Sequence, residues 1–174
     1  MTSTTGREAD AAVVAAQIGR VPRQPWRVAA RCSHGYPMAI VPPPILDGGD
    51  RFPTYAWLTC PSLAEKAAVL ESAGAAARMA GRVAGDPALA ERVRAADRAL
   101  RAARAAEGRR AGDEDACSAI GIAGQRDPLR VKCLHARAAL ALVGIDDPIG
   151  TDIVEGWDPC PDAHCLRYLQ GSPF

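Results

Sequence analysis

Proline is the feature that most limits how this chain can fold. Prolines recur from Pro22 to Pro61, whereas only Pro87 lies between Ser62 and Pro128. Because proline lacks a backbone N–H and holds the preceding residue in an extended conformation, closely spaced prolines exclude long helices. Long helices are therefore expected mainly after this stretch. The division predicts an α+β fold, in which a small antiparallel sheet and extended loops pack on three principal helices.

The first part of the chain, residues 1–61, carries the pattern of short strands. Residues 7–19 show a short amphipathic helical pattern that Gly19 ends. In the stretch WRVAARC, apolar residues beginning with Trp26 and Val28 alternate with arginine and alanine, which is typical of a strand with one exposed face. MAIV and TYAWLT are similar candidates, and the loop between them, PPPILDGGDRFP, is rich in turn residues.

A helical hairpin is predicted for residues 62–108. The spacing of Ser62 and Glu65 predicts a capping box at its start. The first helix runs as far as the AGDP segment, where Asp86 and Pro87 begin a second helix that is rich in alanine and arginine. Acidic residues interspersed among these arginines are typical of a solvated face, and two helices joined by a short connection pack antiparallel.

A third helix is predicted for residues 127–144. Asp127 and Pro128 mark its start and Gly144 marks its end. The helix carries apolar side chains on almost all of its faces, which is typical of a helix at the centre of a fold. The face expected to be most exposed to solvent carries Arg130, Lys132 and Arg137. The tail, residues 145–174, has only short apolar pieces and a CPDAHC turn.

Composition and charge indicate one globular domain over residues 1–174. The chain is 48% hydrophobic, and its 21 basic side chains balance 20 acidic ones. This balance gives no overall field that would attract a nucleic acid. The N-terminus lacks the basic region of a secretory signal, and no stretch approaches the roughly 20 apolar residues of a membrane span. We therefore expect a cytoplasmic protein without a membrane or nucleic-acid partner.

The cysteines and histidines are the residues with the most specific chemistry. In the cytoplasm, the six cysteines indicate thiols or metal ligands rather than disulfides. All three histidines lie within two residues of a cysteine, in the pairs Cys32/His34, Cys133/His135 and His164/Cys165. Cys60 and Cys160 are each followed by proline, as is one ligand of some iron–sulfur sites.

These residue types suit a metal centre. Thiolate and imidazole are ligands of zinc and of iron–sulfur clusters. Structural zinc sites usually contain two closely spaced ligand pairs, and only CPDAHC approaches such a pair. Scattered single ligands slightly favour a cluster over zinc. The predicted ligands are Cys32, Cys60, Cys133 and Cys160, with His34, His135 and Cys165 as alternates.

Only one of Cys133 and His135 is expected to be a ligand. Residues two apart on a regular helix point about 200° apart, so they cannot easily bind one ion together. The free N–H groups at the helix start favour a thiolate, which makes Cys133 the better candidate. His135 would then be a hydrogen-bonding neighbour or a core residue.

A structural role for the cysteines is the alternative. Free cysteine is among the most buried residue types and often acts as a small apolar side chain. The chain would then be a non-catalytic interaction module whose hairpin, residues 62–108, binds a protein partner. The sequence has no phosphate-binding loop, His-Glu-x-x-His motif or nucleophile elbow, so it leaves open whether the protein is an enzyme.

Four stretches of the sequence resemble a known family. They are DGGDRFPTYAWLTCPSL, LESAGAAARMAGRVAGDPALAERVRAADRAL, RVKCLHARAALALVG and DDPIGTD. Together they are similar to a bacterial family catalogued as domain of unknown function 501, over residues 10–156, with RVKCLH as the most specific part. The resemblance implies a soluble bacterial protein and brings no activity with it. Genes of this family tend to lie near those of a septum-formation coiled-coil protein and an exopolyphosphatase-like enzyme, which implies a link between an interaction module and cell division.

Overall fold

The chain folds into a three-stranded sheet covered by helices. The structure, a computed structural model, describes residues 4–115, 117–157, 160 and 165. Its elements are α1 (Thr4–Ile18), β1 (Arg27–Arg31), β2 (Pro37–Val41), β3 (Trp57–Leu58), α2 (Pro61–Ser72), α3 (Ala75–Gly85), α4 (Pro87–Ala111), a 3₁₀ turn (Ile122–Gly124), α5 (Leu134–Leu142) and α6 (Pro148–Glu155). The predicted α+β class is confirmed. None of the helices in the described ranges combines the length and the apolar character that crossing a membrane requires.

The sheet is antiparallel in the order β1–β2–β3, as expected. Ala39 of the central strand pairs with Ala30 on one side and with Leu58 on the other. β2 is buried along its whole length, with α1 and α5 in contact with it. Because the two outer strands run in the same direction, Cys32 after β1 and Cys60 after β3 lie at the same end of the sheet.

The first helix of the predicted hairpin is broken into α2 and α3. Gly74 lies between them with a φ of +76°, in the left-handed region. A left-handed residue cannot continue a right-handed helix, so the prediction of one continuous helix is wrong here. α4 begins where it was expected, because the Asp86 carboxylate accepts hydrogen bonds from the backbone N–H groups of Ala88 and Leu89 at 2.9 and 3.0 Å.

Replacing Gly74 with alanine is expected to lower the free energy of unfolding by about 1 kcal/mol, because a Cβ disfavours left-handed backbone. The added Cβ would meet only the Arg78 guanidinium, at 3.6 Å, so backbone strain and not crowding sets the cost. At Gly85, which ends α3, nothing lies within 4 Å of an added Cβ, so Gly85→Ala is the control and should be neutral or stabilising. Urea unfolding measures both variants, and equal midpoints would argue against a left-handed Gly74.

The third helix is shorter than predicted, and another helix follows it. α5 begins at Leu134, whereas Asp127 closes a turn in which its carboxylate accepts a hydrogen bond from the Leu129 N–H at 3.0 Å. α6 begins after Asp147, whose carboxylate accepts hydrogen bonds from two N–H groups of the first turn at 3.0 and 2.8 Å. The tail therefore contains a helix that the sequence analysis did not predict.

Two arginines are buried in the core. Arg137, expected on the wetter side of its helix, is 0% exposed and lies 2.8 Å from the equally buried Asp147. That expectation is wrong because α6 packs against α5 and covers this side. Arg104 belongs to the arginine-rich α4, but it is also 0% exposed and pairs with Asp115 at 3.0 Å. Its guanidinium also donates to the carbonyl oxygens of Pro53, Cys117 and Ile120.

Candidate metal centre

Five side chains with sulfur or nitrogen donors converge on one cleft at the end of the sheet. They are Cys32, His34, Cys60, Cys160 and Cys165, and we call this site the cysteine cleft. Three of them are predicted ligands and two are predicted alternates. The remaining walls are formed by Tyr36, Pro37, Met38, Pro61, Ser62 and Trp157.

The ends of two strands position Cys32 and Cys60. After β1, the Cys32 N–H donates to the Tyr36 carbonyl at 3.0 Å, and the Gly35 N–H donates to the Cys32 carbonyl at 2.9 Å. After β3, the Cys60 N–H donates to the Met38 carbonyl at 3.2 Å. Cys60 has extended backbone before its proline, as a Cys-Pro pair predicts, and it precedes the first residue of α2.

The two tail cysteines are joined to the cleft by hydrogen bonds. The Cys160 carbonyl lies 2.8 Å from Nε2 of His34. Nε2 of Gln17, in α1, donates to Sγ of Cys165 at 3.0 Å and to the Pro37 carbonyl at 2.9 Å. Gln17 is only 9% exposed, so its amide is a buried partner of a thiol. Nothing in the sequence around this glutamine indicated that role.

Burial favours the protonated form of two of the cleft thiols, those of Cys60 and Cys165. It raises the pKa of Cys60 to about 11, although the backbone N–H of Leu63 acts in the opposite direction. Burial also raises the pKa of the Cys165 thiol, and the hydrogen bond from Gln17 partly offsets this. A thiolate in this cleft therefore needs a positive charge beside it, and binding of a cation would release protons.

Cys133, the fourth predicted ligand, lies in a different place. Its ligand atom and those of Glu71 and His135 all lie within 4.8 Å of one another. Glu71 is in the last turn of α2, whereas Cys60 precedes the first turn of the same helix. At a rise of 1.5 Å per residue, about 16 Å of helix separates the two residues. Cys133 therefore does not join the cysteine cleft, and Cys165 is the fourth cysteine there.

Cys133 and His135 do not point to opposite sides of a helix. Cys133 is the N-cap of α5 and has extended backbone, with φ −121° and ψ 113°. The helical angle of about 200° therefore does not apply to this pair. The geometric reason for expecting only one of the two as a ligand is therefore absent, because the donor atoms of both side chains lie within 4.8 Å of that of Glu71.

The two donor groups differ in spacing. Among the described residues, no three donor atoms of the cysteine cleft lie within 4.8 Å of one another, whereas the three of the second group do. The sixth cysteine, Cys117, is buried and lines neither group. His164 lies outside the described residues, as does most of the CPDAHC turn.

Comparison with known proteins identifies a family. The family model described as protein of unknown function, DUF501, matches residues 28–155. The match includes Cys32, Cys60 and Cys133 and ends before Cys160. No curated protein and no solved structure matches the chain. Because the family match covers well over half of the sequence, the chain belongs to the DUF501 family, in agreement with the resemblance of the RVKCLH stretch and its neighbours.

Proposed function

We propose that this protein binds an iron–sulfur cluster at the cysteine cleft, with a zinc ion as the alternative occupant. The observation that carries the proposal is the convergence of four cysteines on one cleft from three separate parts of the chain. We further propose a cytoplasmic location, where a reducing environment keeps these thiols available as ligands.

The ligand set supports a metal centre over a purely structural role. Cys32 and Cys160 are only half-buried, so their thiols are less enclosed than that of Cys60, which belongs to the core. The Gln17 amide donates to the Cys165 sulfur at 3.0 Å, and such N–H···S hydrogen bonds help to set the reduction potential of cysteine-bound clusters. Nε2 of His34 donates to the Cys160 carbonyl, which leaves Nδ1 of this imidazole as the nitrogen that could act as an alternate ligand.

The scatter of single ligands along the chain slightly favours a cluster over zinc, and the donor spacing in the cleft is compatible with that choice. Four thiolates around one zinc ion, at Zn–S distances of about 2.3 Å, lie roughly 3.8 Å apart. The donor atoms of the cleft do not form any group of three within 4.8 Å among the described residues. A cubane cluster takes one thiolate on each of its irons, so its four ligands lie farther apart than those of a single ion.

Metal analysis of protein purified without oxygen tests the proposal. We expect roughly four irons and four sulfides per chain, with a brown colour and visible absorption. Cys60→Ser should abolish both, and serine is a favoured N-cap residue, so α2 should still form. Cys117→Ser, which changes a buried cysteine outside the cleft, is the matched control and should keep the full iron content.

Other outcomes of this experiment have distinct meanings. If the unmodified protein holds one zinc per chain and Cys60→Ser loses it, the proposed site is correct but its occupant is zinc and not a cluster. Metal content that is unchanged in Cys60→Ser, or that falls equally in Cys117→Ser, would contradict a metal centre at the cysteine cleft. Circular dichroism of each variant shows whether a loss of metal follows from a loss of fold.

An interaction module is the second candidate function. Val69 of α2 is 62% exposed, and it borders an open hollow together with Leu70 and Trp157. The three apolar side chains together line this hollow, and an open apolar hollow bordered by the predicted hairpin suits a protein partner. For this function, in which the cysteines are structural and bind no metal, Val69→Lys should reduce partner binding by the full chain without changing its fold.

A further inference from the structure

Three donors of different chemical type meet where α2 ends and α5 begins. Sγ of Cys133, a ring nitrogen of His135 and a carboxylate oxygen of Glu71 lie within 4.8 Å of one another. The carboxylate Oε1 lies 3.3 Å from Nδ1 of the imidazole. Nitrogen and oxygen ligands of a tetrahedral zinc ion, each bound at about 2.0 Å, are roughly 3.3 Å apart. The carboxylate and the imidazole, which pair with each other directly, are thus close enough to bind one ion together.

The start of α5 holds the carboxylate in place. Oε1 of Glu71 accepts a hydrogen bond from the Leu134 N–H at 2.6 Å. Metal-binding carboxylates are commonly held by such outer hydrogen bonds, which fix their orientation before the ion arrives. Cys133 precedes this N–H as the N-cap, and its side chain makes no capping hydrogen bond. Its sulfur is therefore not committed to the helix.

We infer that Glu71, Cys133 and His135 form a second site, separate from the cysteine cleft, for a single divalent ion of the zinc class. One thiolate and one imidazole select zinc-like ions over magnesium or calcium, which take oxygen ligands. The side chains of His135 and Glu71 are 33% and 31% exposed, so the ion enters directly from solvent. Three protein ligands leave a fourth position to water, as in zinc sites that are not purely structural.

Cadmium-113 NMR of the full chain tests this inference, because the cadmium shift depends on the number of sulfur ligands. We expect a resonance typical of one sulfur ligand, distinct from any signal of cadmium in the cysteine cleft. Cys133→Ser should remove it without harming the fold, since serine is favoured at an N-cap. Glu71→Gln should weaken cadmium binding by more than the roughly 10–100-fold that loss of an outer partner costs.

Matched variants separate this site from the cysteine cleft. Glu65→Gln changes an exposed carboxylate of the same helix and should leave the single-sulfur resonance in place. Cys60→Ser should also leave it in place, so failure of the cluster proposal and failure of this inference give different results. Absence of the resonance in the unmodified chain, or its persistence in a folded Cys133→Ser variant, would overturn the inference. Glu71 would then be only the cap of α5.

Discussion

Asp147→Asn is expected to lower the free energy of unfolding by about 3–5 kcal/mol, the cost of leaving one charge of a buried pair without its partner. Oδ2 of Asp147 lies 2.8 Å from Nη1 of Arg137, and both side chains are 0% exposed. Asparagine keeps one oxygen for the N–H groups at the start of α6, but its NH2 group replaces the oxygen that accepts from Arg137, so the substitution removes both the charge and this acceptor. Urea unfolding followed by far-ultraviolet circular dichroism measures the loss.

The preceding residue provides the control for this prediction. Asp146 pairs with Arg92 at 3.1 Å, but their side chains are 80% and 56% exposed. Asp146→Asn should therefore cost no more than about 1 kcal/mol. Adding Arg137→Met to Asp147→Asn should restore part of the lost stability, because it removes the unpaired charge. Equally small losses at Asp146 and Asp147 would contradict the burial of the Arg137 pair.

The helix starts show which parts of the fold a sequence can predict. Three Asp-Pro pairs lie within the described residues, and those at Asp86 and Asp147 cap helices as this pair usually does. The pair at Asp127 closes a turn instead. α5 begins later because Glu71, from a distant part of the chain, accepts the hydrogen bond of the Leu134 N–H. Local sequence cannot reveal a cap that comes from another helix.

The sequence indicates which residue types could bind a metal, but it predicts less well which of these residues lie together. Cys32 and Cys60 follow the two outer strands of an antiparallel sheet, and the ends of such strands coincide, so their proximity could be predicted from strand order. The separation of Cys133 from them depends on the packing of α5 against the far end of α2. The contact of Gln17 with Cys165 joins the first described helix to the tail. The spacing of residues along the sequence does not predict a contact between such distant parts of the chain.

Gly150→Ala is expected to cost about 3 kcal/mol or more, at the upper end of the usual cost of overpacking. A Cβ at this position would meet the backbone carbonyl oxygen of Arg137, with its carbonyl carbon at 2.7 Å and the Cβ of Ala141 at 3.2 Å. α5 and α6 therefore touch backbone to backbone. α5 cannot move away without stretching the buried ion pair between Arg137 and Asp147, which joins the same two helices.

Gly81→Ala is the matched control, because it makes the same change at an exposed position of α3. Nothing lies within 4 Å of a Cβ added there, so alanine should stabilise the chain by up to about 1 kcal/mol through its higher helix propensity. A loss of stability at Gly150 together with a gain at Gly81 would show that the contact between the helices, and not helix propensity, causes the loss.

Any displacement of α5 also moves Cys133 and His135 relative to Glu71. Gly150→Ala should therefore weaken cadmium binding at the proposed second site, and Gly81→Ala should not. Equal stability of the two variants would contradict the close packing of α5 on α6, and with it the burial of Arg137.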